Sequence, residues 1–232
     1  MAHRLASTLS FEAMIEYIVA VGGALAAYQA LADLAEAWDA RIPEYQRYRD
    51  ERDVVTYAWL RAVAFNRARD FEWDGKILEL SSESYGAAGK KASADPYAPL
   101  FGTIKATKAR KLGAAKAVKF GSQLVAKLKV MDHPELNGLI PGLEAANEAL
   151  RAAGERRDAA FEQVLLQNVM RVRRLTALQA AVADLEFEIL SRFRGNDALV
   201  RVVLAGADLE DLDDVPDAPV APPREGDGPA DV

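Results

Sequence analysis

The segment PELNGLIPGLEAANEALRAAGERRDAAFEQVLLQNVMRVRRLTALQAAVADLEFEILSRF, residues 134–193, decides the fold. Leu136, Leu139, Leu143, Ala146, Leu150 and Ala153 open a stripe that Leu165, Val169, Val172, Leu175, Val182, Leu185 and Ile189 continue. Spacings of three and four put such residues on one helix face and predict helices lying nearly parallel to one another. Within this run no proline follows Pro141, and Glu155-Arg156-Arg157-Asp158 suits a solvated helix surface. The run predicts one long helix over about 135–193, with a hairpin at Gly154 as the alternative. A helix of more than about fifty residues spans about 80 Å, which outreaches a compact bundle.

The same periodicity recurs upstream. Ser10 is an N-cap residue, and Phe11, Met14, Ile18, Val21, Leu25, Tyr28, Ala32 and Ala35 predict a helix over about 10–41. Gly22 and Gly23 cost that helix about 1 kcal/mol each relative to Ala, an expense that a close backbone approach by a neighbouring helix is expected to offset. Pro43 opens a second helix, over about 44–84, antiparallel to the first across a short gap. Its buried face is read as Tyr57, Leu60, Ala64, Ala68, Phe71 and Leu78. Gly89, Pro96, Pro99 and Gly102 mark residues 89–104 as a loop. A third helix follows over about 107–131, with Ala117, Leu124 and Leu128 inside and Lys116, Lys119 and Lys127 outside. Trp38, Trp59 and Trp73 belong in or beside the core.

The expected fold is therefore all-α: long antiparallel helices in an elongated bundle or coiled-coil-like rod, with one shorter basic amphipathic helix. Residues 1–9 read as a flexible N-terminus and 10–205 as the helical domain. Residues 206–232 read as a disordered, Pro-rich acidic tail, since nine Asp/Glu stand there against Arg224 alone.

Composition removes several functions. The chain has no cysteine, hence no disulfide framework, thiolate nucleophile or Cys-based metal site. This suits a cytoplasmic address. The uncharged run from Tyr17 to Ala32 falls short of the roughly 20 residues that span a bilayer. Glu12 and Glu16 precede it, where a signal peptide carries positive charge.

The only histidines are His3 and His133, and neither a Glu-x-x-His nor a His-Glu-x-x-His motif occurs. Carboxylate-bridged di-iron and zincin chemistry both depend on such motifs. Glu12 with Glu16, and Glu144 with Glu148, are read as surface pairs, and His133 as a helix-end or loop residue. Gly86-Ala87-Ala88-Gly89-Lys90-Lys91 lacks both the glycine spacing and the Ser/Thr of a phosphate-binding loop. No catalytic, cofactor-binding or metal-binding residues are assigned, no cofactor is expected, and the chain is read as a non-enzyme. No motif carries a family resemblance.

The strongest anomaly is charge. Between Gly89 and Met131 ten Lys/Arg face Asp95 alone, inside a chain of net charge −6. Lys105, Lys108, Arg110, Lys111, Lys116, Lys119, Lys127 and Lys129 are the candidate contacts for a polyanion or an acidic partner. The first reading sets this segment against acidic surface or tail of its own or a sister chain. Nucleic acid ranks behind it, because the segment is Lys-rich and poor in aromatics that stack on bases. A membrane surface also ranks behind, because the apolar face is Ala-heavy and lacks Trp. No small-molecule substrate is indicated. The functional expectation is a structural or protein-interaction protein, self-associating or docking partners through helix faces. Polyanion binding through 89–131 is the alternative.

Overall fold

A computed structural model describes residues 5–131 and 133–205. The proposed tail at 206–232 lies outside the described residues, as do residues 1–4 of the N-terminal arm. Among the described residues the secondary structure is helical, without strands. The chain divides into two compact units, one built from residues up to Tyr57 and from Glu162 onward, the other from Ala58–Phe161.

In the first unit the expected 10–41 helix is two. Helix α1 (Phe11–Ala26) starts at Ser10, whose hydroxyl accepts from the Ala13 N–H at 3.1 Å. It stops before Tyr28, whose backbone is extended, and a short 3₁₀ turn over Gln29–Leu31 leads into α2 (Ala32–Asp39). The fold-back follows from burial: Tyr17, Ile18, Val21 and Leu25 are all fully enclosed, and α2 returns to cover them. Trp38 closes the hairpin by donating its indole N–H to the Ile18 carbonyl at 2.9 Å. Gly22 has a close neighbour on α2, but it is the Asp39 carboxylate, which a β-carbon there would meet, rather than the backbone expected. Gly23 has no such neighbour within 4 Å.

The first turns of α3 (Ile42–Ala87), the C-terminal part of α8 (Ile140–Arg192) and α9 (Asp197–Leu204) complete this unit. Leu175, Leu178, Val182, Leu185 and Ile189 hold the α8 seam, and the Tyr17 hydroxyl meets the Leu204 carbonyl at 3.3 Å. Part of the arm read as flexible is packed. Leu5 and Leu9 are buried, and their carbonyls accept hydrogen bonds from Gln179 and Arg171.

In the second unit α3 and α8 run antiparallel, as their contacts show. Trp59 meets Phe161, Phe65 lies under Arg156, Asn66 faces Gly154, and Trp73 bonds Asn147. Each step forward on α3 is a step back on α8. Helix α8 passes through Gly154 unbroken. Between the long helices the chain forms α4 (Tyr97–Phe101), α5 (Ala106–Ala109), α6 (Ala114–Met131) and α7 (Pro134–Asn137). The expected 107–131 helix is thus interrupted before Ala114, and the expected 89–104 loop contains a helical turn. Leu100, Phe101, Ala117, Phe120, Leu124 and Leu128 pack on Trp73, Ile77, Leu80, Leu143 and Leu150.

Candidate interaction surfaces

The buried face of α3 in the second unit is Trp59, Ala62, Asn66, Trp73, Ile77, Leu80 and Ser84. This is not the face read from the sequence. Leu60, Ala64, Ala68, Phe71 and Leu78 lie two residues earlier in register, about 200° around the helix, and they are exposed. Tyr57, which ends the first unit, is exposed as well. Phe71 is 77% exposed. The periodicity is real, but it describes a second stripe that faces outward. Arg61 and Arg67 flank its N-terminal half, and Glu72, Glu79 and Glu83 its C-terminal half.

Helix α8 repeats the pattern in the first unit. Leu165, Val169 and Val172, read as seam residues, are about half exposed, and Phe187 faces outward with them. The seam itself runs through Val164, Asn168, Arg171 and Leu175. Polar residues at seam positions carried no hydrophobic signal, so the apolar outward stripe attracted the reading instead.

Some polar residues of the two units are held by hydrogen bonds, whereas the buried Asn66 Oδ1 on the α3 seam has no partner among the described residues. In the second unit Asn147 accepts from the buried Trp73 indole N–H at 3.3 Å and donates to the Ser122 hydroxyl at 2.9 Å, while Ser122 donates to the Val118 carbonyl. Gly121 lets α6 approach this group, since a β-carbon there would lie 2.4 Å from Asn147 Oδ1 and 3.0 Å from Trp73 Nε1. In the first unit Arg52 holds Glu12 with two hydrogen bonds of 2.6 and 3.0 Å and also bonds Asp53. Partial burial is the largest single influence on Glu12 and works against its charge, but the Arg52 hydrogen bonds and charge, together with hydrogen bonds from the Glu12 backbone and Ser10, outweigh it and hold the carboxyl below its ordinary range. Burial pushes the Tyr45 hydroxyl, which donates to the Arg174 carbonyl at 2.9 Å, up to about 12.

The carboxylate pairs noted in the sequence are dispersed among cations. Glu12 takes Arg52, Glu144 takes Lys129 at 2.7 Å, and Glu148 takes Arg151. Among the described residues no group of three or more His, Asp or Glu is placed to hold a metal ion. His133 stands at the N-terminal end of α7, where its carbonyl accepts from the Leu136 and Asn137 N–H groups.

The basic segment lies across the second unit with its apolar side inward. Three of its cations have partners: Arg110 pairs with Asp74 at 3.0 Å, Lys129 with Glu144, and Lys127 donates to the Pro99 carbonyl at 2.7 Å. Lys90, Lys91, Lys105, Lys108, Lys111, Lys116 and Lys119 are exposed and have no acidic partner among the described residues. The aromatic rings of the segment turn inward. Tyr97 meets Tyr85 edge-on and Phe101 at a tilt, and Phe101 meets Phe120 at 6.4 Å between centroids.

The fold and these surfaces define an all-α protein of long, antiparallel, seam-packed helices that carries outward apolar stripes and one basic face. No family model, curated protein or solved structure matches the chain. Among the described residues no helix is long and apolar enough to cross a membrane.

Proposed function

We propose that this chain is a non-enzymatic interaction protein that self-associates, coiled-coil fashion, through the outward face of α3. The observation that carries the reading is the stripe of Leu60, Ala64, Ala68, Phe71 and Leu78, apolar at helical spacing and exposed among the described residues. A second copy is the occupant that its layout favours. Ala64 and Leu78 stand equally far from Phe71, so a copy laid antiparallel sets small against large around a twofold axis at Phe71. The same arrangement brings the half flanked by Arg61 and Arg67 alongside the half flanked by Glu79 and Glu83. Attractive charges beside an apolar seam select partner and orientation. A cysteine-free composition supports a cytoplasmic address.

Light scattering on the full chain tests this. The expected mass is twice 25.2 kDa, falling to 25.2 kDa in Phe71→Glu/Leu78→Glu with unchanged helicity. A wild-type monomer at 50 µM, or a dimer untouched by both substitutions, overturns it.

A further inference from the structure

We propose that the lysine face of the second unit, built on α6 and the turns before it, is a docking surface for duplex DNA, held through the phosphate backbone without base readout.

The face is ordered along one helix. Lys116, Lys119 and Lys127 fall within about 80° of one another around α6, with Gln123 among them, and span about 16 Å of its length. Ala117, Leu124 and Leu128, on the other side, are buried in the core of the unit, so the row points outward. Lys105, Lys108 and Lys111 continue the positive charge upstream. These three, with Lys116 and Lys119, are exposed and have no acidic partner among the described residues. Lys127 commits one N–H to the Pro99 carbonyl, and an ammonium has two more to give.

The unit does not neutralise this row. Residues 58–161 carry 17 Lys/Arg against 12 Asp/Glu, so they are positive within a chain of net charge −6. Glu72, Asp74, Glu79, Glu144, Glu148 and Asp158 already meet cations, none of which belongs to the row. Clustered ammonium groups raise the local potential and draw a polyanion. Duplex DNA is the densest fit: with one charge per roughly 1.7 Å of axis, it sets on the order of ten phosphate charges against the row.

Other polyanions fit less well. A membrane surface requires the apolar side of α6, which is buried. Single strands require exposed rings for base stacking, and Phe101 and Phe120 are buried. That inward turn of the rings removes stacking but leaves backbone binding untouched. Duplex RNA is gripped through 2′-hydroxyls, which both donate and accept, whereas lysines only donate.

Fluorescence anisotropy of a labelled 30-base-pair DNA duplex, titrated with the intact chain between 50 and 200 mM NaCl, tests the proposal. Six lysine–phosphate contacts predict a slope of about −5 for log affinity against log salt, hence a loss of about a thousandfold across that range. In Lys108→Gln/Lys111→Gln/Lys116→Gln/Lys119→Gln two contacts remain, and the slope should fall to about −2. Arg47→Gln/Arg49→Gln/Arg151→Gln/Arg157→Gln removes the same charge at partly exposed positions off the face and should keep the wild-type slope. Circular dichroism confirms that both variants retain their helicity. No anisotropy change with 50 µM protein at 50 mM NaCl overturns the proposal, as does an equal loss of slope in the two variants. Displacement of the duplex by polyglutamate, single-stranded DNA, duplex RNA or phosphatidylserine vesicles as readily as by unlabelled duplex, at matched charge, assigns the face to that competitor and overturns it too. The lysine substitutions leave the α3 stripe untouched, so this test and the light-scattering test fail independently.

Discussion

Replacing Gly121 with alanine sets two known quantities against each other. Gly121 lies inside α6, where an alanine normally stabilises a helix by about 1 kcal/mol over glycine. At this position, however, the added carbon would sit 2.4 Å from Asn147 Oδ1, 3.0 Å from Asn147 Cγ and 3.0 Å from Trp73 Nε1. The Asn147 amide must move, and the Trp73 indole N–H, on a side chain only 1% exposed, then loses its acceptor. Orphaning a buried donor costs about 1–3 kcal/mol. The Ser122 hydroxyl loses its amide donor too, but it is exposed and water replaces it. The expected net effect of Gly121→Ala is a destabilisation of about 0–2 kcal/mol after the propensity gain is subtracted. Gly75→Ala supplies the comparison, because Gly75 is in the interior of α3 with nothing within 4 Å of its would-be β-carbon. That variant should gain about 0.5–1 kcal/mol. Urea unfolding followed by circular dichroism at 222 nm and by tryptophan fluorescence measures both. The reasoning is refuted if Gly121→Ala stabilises the protein as much as Gly75→Ala does.

Two further outcomes follow from the first unit. Trp38→Phe removes the hydrogen bond to the Ile18 carbonyl and trims a side chain 2% exposed, so the urea midpoint should fall by the equivalent of about 2 kcal/mol; an unchanged midpoint would mean the α1–α2 hairpin does not depend on that indole. Glu12 has its folded pKa below the unfolded one, so its ion pair with Arg52 contributes fully above the ordinary carboxylate value of about 4.3 and is lost as pH falls through the lower folded value. Because Glu12 is more than a third exposed, Glu12→Gln should cost under about 1 kcal/mol at pH 7 and less by pH 3, whereas an equal cost at both pH values would contradict the linkage.

The fold class was legible because helical periodicity extends over most of the chain without strand-like alternation. The N-cap at Ser10 was legible too, as local chemistry with few alternatives, whereas Gly22 faces the Asp39 side chain instead of a neighbouring backbone and Gly23 faces nothing within 4 Å. The phase of the long helices was not. In α3 the seam includes Asn66 and Ser84, and the opposite face carries Phe71 and Leu78, so a count of apolar residues favours the wrong face. Asn147 and Arg171 disguise the α8 seam in the same way. On α8 the phase is supported by partners for two of these polar groups: Trp73 for Asn147, and the Leu9 carbonyl for Arg171. Those partners lie 74 and 162 residues away, beyond the reach of any window. The basic segment was legible as charge, but which of its cations are paired was not: Arg110 and Lys129 meet Asp74 and Glu144, which lie 36 and 15 residues away.

The antiparallel pairing in the second unit also acts as a ruler. The facing pairs Trp59 with Phe161, Asn66 with Gly154, and Trp73 with Asn147 are evenly stepped, seven residues apart on each helix. One inserted residue in α3 rotates everything beyond it by about 100° and trades the seam for the outward stripe. Seven inserted residues restore the rotation but slide Trp73 past Asn147. Lineages carrying this fold are therefore expected to lengthen it only by whole heptads added to both helices at facing positions, and a homologue with an unmatched insertion should carry it in the α3–α8 connection.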